Sequence, residues 1–117
     1  MDGKMIRKIV ILISILMFLA ALDVVSTMLV LGKGGYETNP LAVYQWNTIG
    51  FLNSVILKMA VILFLGVLMI LIYRFAKEHS PDDLKICSLV INGLLYFLLI
   101  WHVVVVANNF YWVWWMP

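Results

Sequence analysis

Charge is scarce in this sequence of 117 residues. Eight Lys and Arg and six Asp and Glu make up 12% of the chain, against about a quarter in a typical soluble domain. Hydrophobic residues reach 65% and the mean hydropathy is +1.06. A small fold has too much surface to hide so much apolar side chain, which excludes an ordinary water-soluble enzyme, and disorder needs the opposite composition. The basic residues are too few and too dispersed for a nucleic-acid surface. The single cysteine, Cys87, excludes an internal disulfide and a cysteine-cluster metal site. The two histidines, His79 and His102, are not at a paired metal-ligand spacing. Ser14, Ser26, Ser54 and Ser88 lack a glycine-flanked nucleophile elbow, and Gly32-Lys33-Gly34-Gly35 lacks the spacing of a phosphate-cradling loop. There is no internal repeat or low-complexity tract. What remains is an integral membrane protein, expected at this length as a single transmembrane domain over 1–117.

Long apolar runs are plentiful. Three segments, about 9–31, 51–73 and 86–107, each supply the roughly 20 residues that cross a bilayer as a helix. The expected fold is all-α, a three-helix membrane bundle with a short interfacial or re-entrant helix in the outer loop. The first run follows Lys4, Arg7 and Lys8 like a signal peptide. It continues past Asp23 to Leu31, however, and Leu19-Ala20-Ala21 is a poor cleavage site, so a retained signal anchor is expected. Lys4, Arg7 and Lys8 at one end, with Arg74, Lys77 and Lys85 in the second connection, place the N-terminus in the cytoplasm by the positive-inside rule. Three spans then leave the C-terminus outside.

The connections differ. Ser80-Pro81-Asp82-Asp83 reads as a helix start, with Ser80 as N-cap, Pro81 in the first turn and two aspartates at the positive end of the helix dipole. In the outer connection, Gly32, Gly34 and Gly35 end the first helix, and Asn39-Pro40 starts a short one over about 40–48. Leu41, Val43, Tyr44 and Trp46 suit a helix that lies in the interface or folds back into the bundle. The tail from Phe110 to Trp115 has five aromatics in six residues, which reads as an aromatic belt or as a contact with a partner subunit. Cys87 reads as a small apolar helix residue, with palmitoylation as the alternative.

Ionisable groups in hydrocarbon are costly, so Asp23, Lys58 and His102 each require an explanation. At a rise of ~1.5 Å per residue, Asp23 and Lys58 each lie about 12 Å below the outer boundary and His102 about 8 Å below it. Three helices thus bring an ionisable group to one layer. Asp23, Ser26 and Thr27 share a sector of the first helix, Ser54 and Lys58 a face of the second, and Ser88, Asn92, Tyr96, His102 and Asn109 a broad sector of the third. Glu37 and Asn39 from the outer loop, with Asn108 and Asn109, can cap that layer.

Three chemistries fit. The first is a structural Asp23–Lys58 ion pair, in which each charge neutralises the other. The second is a proton relay or base, because burial pushes both groups towards their neutral forms. The third is a metal site on Asp23, Glu37 and His102. His102 alone could ligate haem, or it could hydrogen-bond a neighbouring helix through Asn109. No cofactor is identified.

Asp23-x-x-x-Thr27, Gly35-Tyr36-Glu37-Thr38-Asn39-Pro40 and Lys58 together resemble a family of small prokaryotic multi-spanning membrane proteins known only as a domain of unknown function. Tyr96 and the Asn108-Asn109 pair are similar to its last helix, so the resemblance spans roughly Leu22 to Asn109. It implies that the polar layer is a shared design and that the chain sits in a prokaryotic cell membrane; it transfers no activity. The tryptophan-rich tail departs from the pattern. The expected function is a small non-catalytic integral membrane subunit or scaffold, with the lipid bilayer and other integral membrane subunits as partners. The alternative is a homo-oligomeric intramembrane enzyme or ion/proton pathway built on Asp23, Glu37, Lys58 and His102.

Overall fold

The computed structural model describes residues 2–34 and 40–115, and every element in them is helical: α1 (Asp2–Gly32), α2 (Pro40–Ile49), α3 (Phe51–His79) and α4 (Pro81–Trp115). The long helices α1, α3 and α4 are each long and apolar enough to cross a membrane, and together they form a three-helix bundle. At ~1.5 Å per residue, a helix of 35 residues such as α4 runs for about 52 Å. That exceeds a hydrocarbon core of about 30 Å, so α4 must tilt or project beyond it.

Local chemistry sets the breaks. After α1, the Lys33 N–H returns to the Leu29 carbonyl at 3.2 Å, and Gly34 takes φ +90°, a backbone conformation that side chains disfavour. Gly50 alone separates α2 from α3. At φ +90° it donates its N–H to the Trp46 carbonyl at 3.0 Å, and its carbonyl accepts from the Ser54 N–H and hydroxyl at 3.0 and 2.8 Å. At the other end of the bundle, Ser80 is extended and its Oγ accepts the Asp83 N–H at 3.0 Å, the cap its spacing predicts. Asp82 and Asp83 follow in the first turn of α4.

Contacts between α1 and α4 climb together along both helices, from Lys8 over Tyr96, to Asp23 with Asn109, to Lys33 with Val113, so these two helices are parallel. The α3 helix runs against them, pairing Gly66 with Ile13 and Lys58 with Asp23. The largest interface is between α1 and α4; α2 packs only on α3 among the described residues. Between Trp46 and Phe51 the rings meet edge to face at 5.1 Å, fixing the α2–α3 corner.

The apolar core is a narrow seam. Ile9, Ile13, Leu16 and Ala20 of α1 meet Ile62, Met69 and Tyr73 of α3 and Ile91 and Leu95 of α4. In lipid such burial has little hydrophobic driving force, so close packing and interhelical hydrogen bonds hold the helices together. Gly66 provides the tightest approach, since a Cβ there would stand 3.0 Å from Ile13 Cγ1. The spacing of four, three and four that buries Ile9, Ile13, Leu16 and Ala20 continues to Asp23 and Thr27. On α3 it continues from Ile62 back to Lys58 and Ser54, and on α4 it runs on from Leu95 to His102, Val106 and Asn109. One seam is thus apolar towards the α3–α4 turn and polar towards the opposite end.

Candidate functional site

The polar half of the seam centres on the Asp23 carboxylate. Lys58 Nζ lies 2.5 Å from Asp23 Oδ2. Asp23 Oδ1 accepts from Asn109 Nδ2 at 3.0 Å and, more weakly, from the Thr27 hydroxyl at 3.5 Å. The Asn109 amide also reaches Ser26 Oγ at 3.0 Å and Thr27 Oγ1 at 3.2 Å, so its two hydrogens are shared among three acceptors. Ser26, fully buried, donates its own hydroxyl to the Asp23 carbonyl at 3.0 Å. Five side chains from three helices thus form one network. Helical spacing makes this possible: Asp23, Ser26 and Thr27 fall on one face because they are three and four residues apart.

An ion alone within a span is costly, by up to roughly 2.5–3.5 kcal/mol at a helix centre on insertion scales. Paired, they carry no net charge, and both Asp23 oxygens are occupied from within the chain. Exposure is uneven, with 18% of the Asp23 side chain accessible and 33% of Lys58.

The other predicted residues are dispersed. His102 is buried, and its Nδ1 stands 2.8 Å from the Leu98 carbonyl one turn back on its own helix. A carbonyl only accepts, so Nδ1 supplies the hydrogen of this bond. Asn109, expected as a partner for His102, turns to α1 instead, because Asp23 offers it a charged acceptor. Ser54 spends its hydroxyl on the Gly50 carbonyl. Asn108 is exposed and stands outside the network. Glu37 and Asn39 lie outside the described residues. Among the described residues, no three of His, Cys, Asp and Glu come close enough to hold a metal together.

Other contacts have no signature in the sequence. Lys33 Nζ donates to the Val113 carbonyl at 2.8 Å, placing a cation at the negative end of α4. Lys8 lies 5.0 Å over the Tyr96 ring. Asn92, from the polar sector predicted on α4, has a buried Oδ1 that accepts no hydrogen bond among the described residues. An apolar groove of about 350 Å³ runs between α3 and α4 beside Leu68, Ile72, Val90 and Cys87. The long spacing between partners hides the first two contacts; a long cationic side chain can reach many places.

A family model described as a domain of unknown function, DUF5658, matches residues 14–115. The chain belongs to the DUF5658 family. The match covers all five network residues, from Asp23 in the first long helix of the DUF5658 domain to Asn109 near the end of its last. No curated protein and no solved structure matches this DUF5658 chain.

Proposed function

We propose that this chain is a small non-catalytic membrane subunit or scaffold, held together by the Asp23 network and packing against other integral membrane subunits. The observation that carries this reading is the occupancy of Asp23: Lys58 takes one oxygen and Asn109 and Thr27 take the other. A carboxylate so engaged serves to orient helices, as buried polar networks do when their members are satisfied. The outer faces add support, since large apolar side chains such as Phe64 on α3 and Phe97 on α4 are exposed and available to lipid or neighbouring helices. In this reading the chain crosses a prokaryotic cell membrane three times. The basic flanks Lys4, Arg7, Lys8, Arg74 and Lys77 stay in the cytoplasm, and the polar half of the seam faces outward. Native mass measurement on material extracted in a mild detergent tests the proposal. A stoichiometric complex with other chains is expected; a closed homo-oligomer would overturn it.

One observation favours a second reading, an ion or proton pathway. The Lys58 side chain is one-third accessible, so the pair can be approached from its α3 side. Proteoliposomes would then show a proton flux that Lys58→Met abolishes.

A further inference from the structure

The last two turns of α4 carry Phe110, Tyr111, Trp112, Trp114 and Trp115. All are exposed, from 38% at Phe110 to 81% at Trp114, while Val113 between them is half-buried and its carbonyl is held by Lys33. At about 100° per residue, the five aromatics cover an arc of about 200°. That is the whole outward side of the helix. A docking surface for another helix is a narrower stripe, with polar residues beside it. Here no direction is preferred, which suits a surrounding that is the same on every side.

The rest of the bundle agrees. Tyr44, two-thirds exposed, and the Trp46–Phe51 pair lie at the same end, where α2 turns into α3. Tyr111 packs against both Trp112 and Trp115, with centroids at 5.5 and 6.1 Å, so these three rings are linked within the aromatic collar. Indole and phenol rings pair an apolar body with a polar handle, the combination favoured between acyl chains and headgroups.

We propose that this collar is a lipid-binding surface that seats in the headgroup layer and sets the depth of the bundle. Its rings begin one residue beyond Asn109. Over three to six residues the rise to Trp112 and Trp115 is about 5–9 Å, so the Asp23–Lys58 pair lies just beneath the headgroups and not at the bilayer centre. The collar and the subunit reading stand independently, because the collar needs only lipid.

Fluorescence quenching tests the collar. The full chain would carry Trp46→Phe and Trp101→Phe, with two of the three tail tryptophans also changed to Phe. It would be reconstituted in phosphatidylcholine vesicles brominated either near the headgroup or near the chain ends. Each remaining tail tryptophan should be quenched more strongly by the shallow bromines. Trp101, retained alone in a matching variant, sits mid-helix and should show the reverse order, which also verifies that the variants insert. Stronger quenching of the tail by deep bromines would overturn the proposal. So would a tail that neither depth quenches, whether aqueous iodide reaches it or a protein surface covers it.

Discussion

Asp23 and Lys58 are 35 residues apart in sequence and are the two charges that meet in the seam. Removing either leaves the other without a counter-charge in a low-dielectric setting, so Asp23→Asn and Lys58→Gln should each lower stability by about 3 kcal/mol. The double variant has no stranded charge and should recover much of that loss. Unfolding in mixed micelles, followed by helicity, gives the four corners of the cycle. Single effects that simply add would show that the pair does not hold the helices together. Asn109 is itself uncharged, so removing it strands no ion, and a hydrogen bond between membrane helices is worth less than a lost counter-charge. For Asn109→Leu the same assay should read a loss of about 1 kcal/mol.

At the scale of helices, the decisive contact is between α1 and α3, where Gly66 lets Ile13 approach. A valine there would need the space that the Ile13 side chain fills. Gly66→Val should therefore force the helices apart and cost about 1–3 kcal/mol, whereas Gly66→Ala asks Ile13 to yield by only a few tenths of an ångström. A similar loss from both variants would remove close packing as the explanation. The sequence does not single out Gly66, because a glycine in a run of leucines and isoleucines has no periodic signal of its own. Helix existence was far more legible: hydropathy marks three spans, and Ser80 and Gly32 mark ends that the backbone hydrogen bonds realise. At the α3–α4 turn the helices nevertheless run past the expected spans, α3 on to His79 and α4 back to Pro81, because Lys77, Glu78 and Asp82 are good residues for helix ends in water and hydropathy alone discards them. The position of Asp23 opposite Lys58 could be read from helix rise, since both lie eight residues from their boundaries. Asn109 could not be distinguished from His102 as the partner of Asp23 on α4, because each falls in the same broad sector and only the actual helix crossing selects between them.

For the molecule as a whole, the distribution of the fourteen charges ties the fold to its setting. Basic residues crowd the end of the bundle that holds the start of α1 and the α3–α4 turn, while the opposite end has Lys33 alone, already engaged with Val113. Moving several cations across a bilayer is much harder than moving one, which is why such asymmetry orients membrane proteins. The aromatic collar and the polar half of the seam then share the end with few cations, and the cation-rich end keeps the apolar core. Cysteine labelling reads this orientation directly. In a Cys87→Ala background, Asn47→Cys on exposed α2 should react with a membrane-impermeant maleimide applied to intact cells, and Glu78→Cys should react only after the membrane is opened. Labelling in the opposite order would invert the topology and place the collar in the cytoplasmic leaflet. Reversing the charge bias should act on the same readout: with Arg7, Lys8, Arg74 and Lys77 all changed to Gln, the single orientation should give way to a mixture, and both positions should label in part on intact cells.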